Sequence, residues 1–304
     1  MAQSDVKARI ASVQNIRKIT RAMEMVSASR LRKAEQRAAS LRPYADAVRR
    51  MTSQAAAAAG SGELQAQPVL QTHDQEKVVG IVLVTADRGL AGAFNSQILR
   101  AGLSRAAELE TQGVETRFYV TGRRGDAALN FRGKPIEGSY TGFTDAPRHD
   151  HAARIGEDLV GAYVDNRVDR VEMIYNGYVS PLVQEVRRET LLPLAAAAIT
   201  ETEGEGDVDP AEAETSGPKS LVEYEPGPAE ILAELVPEFV EISLLRALLE
   251  SAASEHGARM TAMRSASDNA GDVIESLTLA MNRARQADIT QEIMEVVAGA
   301  EALN

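Results

Sequence analysis

The sequence predicts a mixed α/β fold: a long antiparallel two-helix coiled coil, built from both ends of the chain, attached to a Rossmann-like α/β domain. Three features of the 304-residue chain lead to this prediction. Both ends are helical in composition, the apolar residues of each end recur at alternating intervals of three and four, and β-branched runs alternate with helical stretches in between. Such alternation is typical of a mostly parallel sheet with helices on its faces, and the three-four spacing is that of a coiled-coil seam.

The first element is a helix predicted from about Ser4, which can cap it, to Ala59, before the Gly-Ser-Gly sequence at 60–62. A slip near Ser27 divides its apolar repeat in two. The predicted seam residues are Val6, Ile10, Val13, Leu31, Ala34, Ala38, Leu41, Ala45 and Val48. A helix of this length is roughly 80 Å long, whereas a compact protein of this size is about 50 Å across, so the helix must project.

Basic residues crowd this first helix. Residues 1–58 carry 12 Lys and Arg against 4 Asp and Glu, although the formal net charge of the chain is −11. From Lys18 to Gln36 they leave only a thin apolar stripe, which we expect to meet one partner helix. The stripe consists of Ile19, Met23, Val26, Leu31 and Ala34. Because Tyr44 is the only aromatic residue of the segment, an acidic protein surface is a better partner for it than nucleic acid.

The middle of the chain predicts the α/β domain. Strands are expected at 78–86, 116–122 and 169–180, with helices near 94–112, 123–131 and 150–166, and residues 180–194 read as an edge or antiparallel strand. After them, residues 201–218 hold seven acidic residues and no basic one, which is typical of a solvated loop. As a hypothesis, such a segment can bind a basic patch on a neighbouring protein electrostatically.

The last element is a helix predicted from Pro228, with a break or kink at Pro237. Its seam keeps the three-four alternation for ten consecutive steps, through Leu249, Ala253, His256, Met260, Met263, Ser267, Ala270, Ile274, Leu277, Met281 and Ala284. Roughly 95 Å long, it also exceeds the body of the protein. Pairing of the two projecting helices is the simplest arrangement, and a helical bundle folded back on itself is the alternative.

Several kinds of site are missing from the sequence. No G-x-x-x-x-G-K-[ST] loop is present, so Gly89 and Gly92 are expected to serve a tight turn and close packing, with Arg88 as a possible contact residue. The chain has no cysteine, and His149 and His151, near Asp145 and Asp150, are expected to be solvated rather than metal-bound. No apolar run reaches the ~20 residues that span a bilayer, so the protein is expected to be soluble and to reach any membrane through a partner.

Four segments closely resemble the γ subunits of F-type ATP synthases: residues 9–36, 85–96, 254–290 and 289–302. The last of these matches the family signature at Ile289, Thr290, Glu292, Glu295, Gly299, Ala300 and Ala302. The resemblance covers both ends and the middle of the chain in the same order, which makes an accidental match improbable.

The resemblance implies a central-stalk rotor shaft of a proton-translocating ATP synthase, which couples rotation of the membrane c-ring to conformational change in the catalytic β subunits and regulates ATPase activity and proton flow. The chain itself would be non-catalytic and without a cofactor. Its implied partners are the α and β subunits, the ε subunit and the c-ring, with no nucleic acid and no direct membrane insertion. Its implied place is the cytoplasmic face of the cell membrane.

Residue by residue, the resemblance implies contacts with β-subunit loops at Lys18, Met23, Arg30, Lys33, Arg88, Arg285, Gln286 and Thr290. The expected division of the chain is an N-terminal coiled-coil helix at 1–59, an α/β foot domain at 74–200, an acidic loop and connector at 201–225 and a C-terminal coiled-coil helix at 226–304. Two other classes stay open at this point: a nucleotide-sensing α/β protein with a helical dimerisation rod, and a nucleic-acid clamp that uses the basic helix.

Overall fold

A computed structural model of the chain describes residues 3–66, 68–73, 75–194 and 227–301. Two helices dominate it: α1, Gln3–Ala66, and α5, Pro228–Glu301. With 64 and 74 residues, they are about 96 and 111 Å long. The acidic stretch at 201–218 lies outside the described residues.

The two helices run antiparallel along each other. Near the start of α1, the Arg17 guanidinium lies beside Gly271. Further along, Glu24 pairs with Arg264, and Tyr44 donates a hydrogen bond to Glu238. Positions that rise along α1 therefore meet positions that fall along α5, which confirms the predicted antiparallel pair.

Helix α1 does not stop at the predicted glycines, because it continues through residues 60–62 to Ala66. Both long helices also pass through an internal proline, Pro43 in α1 and Pro237 in α5, so the predicted break at Pro237 is wrong. Intrinsic propensity is a weak determinant once a helix packs against a neighbour. Here Ala55 and Ala56 of α1, and Val236 and Val240 on either side of Pro237, are all buried in one apolar cluster.

The chain segment that joins the long helices forms a five-stranded sheet, in the order β3-β2-β1-β4-β5. The strands are β1, Val78–Val84; β2, Glu115–Thr121; β3, Ile136–Tyr140; β4, Arg170–Tyr178; and β5, Gln184–Leu192. β1 to β4 are mutually parallel, and β5 pairs antiparallel with β4 at the edge, as predicted. The sequence analysis missed β3, a short edge strand whose Gly138 interrupts any β-branched run.

Three shorter helices cover the sheet: α2, Phe94–Thr111; α3, Arg123–Phe131; and α4, His149–Val164. On one face, Ile81 and Leu83 of β1 pack in the cluster that holds residues of α2 and α3. On the other, Val82 and Val84 pack in the cluster that holds residues of α4 and α5. The continuous apolar run of β1 is thus buried on both faces, as the sequence predicts for a central parallel strand.

Helix α5 is part of the α/β domain before it becomes part of the shaft. Its residues from Leu232 to Leu249 pack in the same cluster as α4 and one face of the sheet. Beyond them, Ser254 donates a hydrogen bond to the backbone oxygen of Asn176, and Thr261 lies against Pro181, at the carboxyl end of β4. Helix α5 therefore leaves the sheet over its carboxyl edge. None of the helices in the described ranges has a stretch long and apolar enough to cross a membrane.

Candidate functional site

The seam between α1 and α5 is continuous, and its middle is polar. Apart from Arg17, the residues of α1 at alternating intervals of four and three from Val6 to Ala55 are buried or half-buried. At the supposed slip the seam positions are Thr20, Glu24 and Ser27, which are 8%, 8% and 2% exposed. The predicted slip is wrong. The buried positions keep their four-three spacing through this stretch, but they hold polar residues, so only the apolar pattern is displaced.

Three residues of the predicted stripe lie outside the seam, and one of them, Met23, is half-buried. Ile19 is 59% exposed and Val26 52% exposed, whereas Leu31 and Ala34 are buried against α5 as predicted. Ile19, Met23 and Val26 each precede a seam position by one residue, so they lie on its flank. The same flank continues into the basic residues Arg30 and Lys33, so one face of the shaft is apolar towards the start of α1 and basic nearer the sheet.

A groove of about 480 Å³ borders this flank where the shaft leaves the α/β domain. Met23 and Val26 line it on α1, and Arg88, Gly89 and Leu90 line it from the turn between β1 and α2. Leu90 has a φ of 63°, a left-handed conformation that costs a leucine roughly 1–2 kcal/mol, and its side chain is 64% exposed. The turn thus holds an apolar side chain in solvent beside the half-buried Met23.

Arg30 and Arg88, two of the predicted contact residues, already share an acidic partner within the chain. Both bind Oδ2 of Asp145, Arg30 at 2.6 Å and Arg88 at 3.3 Å. Their side chains remain 42% and 63% exposed, so each guanidinium keeps donors that face solvent. This shared pair joins α1, the β1–α2 turn and the loop before α4.

The remaining predicted contact residues are exposed on the shaft. Lys18 and Lys33 are exposed, and neither pairs with an acidic residue in the part of the chain that the structure describes. Arg285, Gln286 and Thr290 lie near the end of α5, all exposed, and the Thr290 hydroxyl donates to the backbone oxygen of Gln286 at 2.8 Å. The two groups lie at different heights along the shaft, so the structure does not gather them into one site.

A buried polar joint connects α5 to the carboxyl edge of the sheet. Arg259 donates to Oε1 of Glu255 at 2.5 Å and to the backbone oxygen of Gly89 at 3.2 and 3.3 Å. The side chains of Arg259 and Glu255 are only 8% and 2% exposed. Burial raises the pKa of the Glu255 carboxyl, against the opposing effect of Arg259. The pair is a desolvated connection between the shaft helix and the β1–α2 turn.

His256 belongs to the same joint. Its Nε2 lies 3.3 Å from the backbone oxygen of Asp145, which can only accept a hydrogen bond, and its Nδ1 lies 3.4 Å from the Arg259 guanidinium, which can only donate. Both contacts suit a neutral imidazole with the proton on Nε2. Burial lowers the pKa of His256 to about 4, and the Arg259 charge adds to this. Burial alone does not test the predicted place of His256 on the seam, because residues 251–257 are all buried.

Asp87 organises the loop that follows β3. Its carboxylate accepts hydrogen bonds from the backbone N–H groups of Gly142, Thr144 and Arg123 and from the Thr144 hydroxyl. Burial alone would raise the pKa of this carboxyl, but the donated hydrogen bonds hold it below its usual value. This is a fully engaged structural carboxylate, with its acceptor capacity taken up by the loop.

The crevice where a doubly wound sheet would bind a nucleotide is occupied by the protein itself. In this sheet β2 and β3 are added on one side of β1, and β4 and β5 on the other, so the strand order reverses between β1 and β4. Ligands of such folds bind outside the carboxyl ends of the two strands at this point. Here Arg259 contacts the turn after β1, Ser254 contacts β4, and an added Cβ at Gly92 would lie 3.9 Å from Ala262. Gly89 and Gly92 thus serve the turn and its close packing, as predicted.

The two histidines expected to be solvated lie in the first turn of α4, with side chains 48% and 24% exposed. His149 is its first residue, and its Nε2 lies between the carboxylates of Glu238 and Glu241. His151 stacks on Phe143 and accepts a hydrogen bond from the backbone N–H of Arg148.

The sequence analysis did not predict the polar joint, although the spacing of one of its ion pairs indicates it. Glu255 and Arg259 are spaced i, i+4 on a helix, which is the spacing of an ion pair. Asp87 and Asp145 left none, because their partners come from distant segments of the chain.

Known protein sequences match this chain over nearly its whole length. A family model described as ATP synthase matches residues 2–303. The ATP synthase gamma chain of Crocosphaera subtropica is 42% identical over 313 residues, covering 98% of each chain. That of Rubrobacter xylanophilus is also 42% identical, covering 98% of this chain and 97% of the relative.

Solved structures show the same fold at low identity. The central stalk and c-ring structure of the Tetrahymena thermophila mitochondrial ATP synthase contains a chain with a TM-score of 0.58 and 23% identity, covering 82% of this chain and 99% of that one. A chain of the Euglena gracilis mitochondrial ATP synthase has a TM-score of 0.65 and 16% identity, covering 99% and 94%. Matched over nearly its whole length by the family model and by relatives at about 40% identity, the chain belongs to the ATP synthase gamma chain family.

Proposed function

We propose that this gamma chain is the non-catalytic rotor shaft of its ATP synthase. It couples rotation of the c-ring to conformational change in the catalytic β subunits, and so regulates ATPase activity and proton flow. Solved structures with this fold come from assemblies named as central stalk with c-ring and as rotor. In this proposal residues 74–200 form a foot that binds the ε subunit and the c-ring at the cytoplasmic face of the cell membrane. The segments 1–59 and 226–304 contribute the two long helices of the shaft, and residues 201–225 join the foot to the second segment.

The overhang of α5 is the observation that carries this proposal. Its last contacts with the sheet side of the molecule are near Ala262, so the remaining residues to Glu301 extend roughly 60 Å beyond it. In the last 15 to 20 residues of α5, the side chains that the structure describes are exposed, including Ile289, Ile293 and Met294. A single helix that exposes apolar residues along its length is stable only when a partner surrounds it. A ring of α and β subunits is such a partner.

The exposed charge on and beside the shaft supports the same partners. Lys18 and Lys33 are unpaired among the described residues, and Arg30 and Arg88 keep exposed donors. Cationic groups on an exposed face favour acidic loops on the surface that surrounds them. We therefore propose that these residues and Met23, with Arg285, Gln286 and Thr290 nearer the tip, contact loops of the β subunits at two heights.

Occupation of the crevice by α5 supports a non-catalytic role. Nucleotide chemistry would need the carboxyl ends of β1 and β4 to be open, and Arg259 and Ser254 contact both places. In this proposal ATP synthesis and hydrolysis therefore take place on the β subunits.

Co-purification tests the proposal. The tagged full-length chain, expressed with the other subunits, should bring down an α/β hexamer and a small ε-like protein, and alone it should neither hydrolyse ATP nor bind it at micromolar concentration. Turnover by the chain in a preparation free of β subunits would contradict the proposal.

The charge argument has its own test. Reversal of the two lysine charges in a K18E/K33E variant should lower ATP-driven proton pumping per ATP in the assembled complex, because it places acidic groups against acidic loops. The matched control is R100E/R132E, which reverses two exposed arginines on α2 and after α3, away from the shaft. Equal pumping in the two variants would show that these lysines do not contact the β subunits.

A further inference from the structure

Three side chains from two elements converge at the base of the shaft. His149 begins α4, and Glu238 and Glu241 lie three residues apart on one face of α5. The Nε2 atom of His149 lies 3.4 Å from Oε1 of Glu238 and 3.5 Å from Oε2 of Glu241, and all three ligand atoms lie within 4.8 Å of one another.

The imidazole cannot serve both carboxylates. Its Nε2 carries one hydrogen, and the 3.4 Å hydrogen bond that it can make to Glu238 is longer than the usual length of about 2.7–3.2 Å and leaves Glu241 without that hydrogen. In a tetrahedral zinc site with bonds of about 2.0–2.2 Å, neighbouring ligand atoms lie roughly 3.3–3.6 Å apart. Both separations from His149 fall in that range.

The cluster also has more negative charge than its neighbours neutralise. Among the residues that the structure describes, His149 is the one ion-pair partner of Glu238 and Glu241. Two carboxylates and at most one imidazolium leave a negative site that a divalent cation would neutralise.

The surroundings hold the ligands in place and leave an entry path. The Tyr44 hydroxyl, on α1, donates a 2.7 Å hydrogen bond to Oε1 of Glu238, which is the kind of outer contact that orients a metal ligand. An added Cβ at Gly156 would lie 3.1 Å from Cγ of Glu241, so a glycine there gives that side chain room. The His149 side chain is 48% exposed, and ions can reach it from solvent.

We propose that His149, Glu238 and Glu241 form a binding site for a divalent transition-metal ion, with Zn²⁺ as the preferred occupant. One imidazole and two carboxylates suit Zn²⁺ and its neighbours in the series, whereas Mg²⁺ and Ca²⁺ favour sites made of oxygen alone. Three protein ligands leave a fourth position for water. Through Tyr44 the bound ion connects α1, α4 and α5, and it fixes the shaft to the α/β domain at its base.

Zn²⁺ binding to the untagged full-length chain, first stripped of metal with a chelator, tests the proposal. Titration against a competing zinc indicator should give one equivalent bound, and Co²⁺ should give the visible absorption of a tetrahedral site. H149A and E241Q should each weaken Zn²⁺ binding more than a hundredfold, since loss of an outer partner alone typically costs about 10–100-fold. Y44F should fall within that smaller range.

The matched control is E234Q, which removes an exposed carboxylate one turn before Glu238 on α5 and should bind Zn²⁺ as the parent does. Circular dichroism of each variant tests whether it is folded. If H149A does not fold, E241Q alone provides the test of the ligands. Binding that is weaker than millimolar, that exceeds one equivalent without saturating, or that is equal in E241Q and E234Q would each overturn the proposal.

Discussion

The buried pair of Glu255 and Arg259 allows a sharp test of how the shaft is joined to the sheet. Replacing Arg259 by methionine keeps most of the volume but leaves the Glu255 carboxylate, 2% exposed, without its 2.5 Å partner. Removing one member of a buried ion pair typically costs about 3–5 kcal/mol. We expect R259M to lower the free energy of unfolding of the full-length chain at pH 7 by that amount, measured by urea denaturation with circular dichroism.

The pH dependence of the free energy of unfolding provides a second test of the buried pair. Burial raises the pKa of Glu255 above the usual value of 4.5, and loss of Arg259 would raise it further. A carboxyl with a raised folded-state pKa favours folding below the unfolded pKa and loses this contribution as the pH rises through the folded value. The penalty of R259M should therefore shrink as the pH falls towards 4, where the carboxyl is protonated in both states.

Arg264 provides the control, because it lies on the same helix as Arg259 and pairs with Glu24 of α1, but its own side chain is 56% exposed. R264M should cost less than R259M, because Glu24 keeps Arg21 at 3.6 Å as a second partner. An E255Q/R259M double variant should regain most of the loss. A penalty for R259M equal to that of R264M, or one that does not change with pH, would refute the assignment of a desolvated pair.

Three further predictions follow from the other sites. Burial lowers the pKa of His256 to about 4, so its protonation should lower the free energy of unfolding by about 3 kcal/mol as the pH falls from 6.5 towards 4. H256Q should remove this part of the acid sensitivity in denaturation curves. Replacing Gln286 and Thr290 together by leucine should impair coupled ATP synthesis while the complex still assembles; wild-type synthesis rates would exclude a role in coupling. Deleting residues 201–216 should raise ATP hydrolysis by the assembled complex, with a difference that added salt diminishes; unchanged hydrolysis at low ionic strength would contradict the hypothesis.

The sequence predicts the elements with strong periodicity and misses those that depend on partners. β1, a β-branched run, and the seam from Leu249 to Ala284 could be read directly, because burial on two faces or along one stripe leaves a repeat. β3 could not, since the edge strand Ile136–Tyr140 is short and contains a glycine.

The polar part of the seam shows the limit most clearly. Apolar spacing assigned Ile19 and Val26 to the interface, whereas Thr20, Glu24 and Ser27 occupy it. A polar seam residue is chosen for its partner, as Glu24 is for Arg264, and that partner lies 240 residues away in the sequence. For the same reason Asp145 and the cluster around His149 could be found only once the helices were placed.

The polar seam also has a mechanical consequence. Between Thr20 and Ser27 the seam positions of α1 are polar, and the matching stretch of α5, around Arg264, buries Met263, Ser267 and Ala270. Nearer the sheet, Leu31 and Ala34 pack in an apolar cluster with Ala253, Met260 and Tyr178. Close packing of large apolar groups resists deformation, and a seam with fewer such contacts is softer. Under torque, twist should therefore concentrate in the segment around residues 20–27 and 264–271, which would act as a torsional spring between a stiff base and the exposed tip.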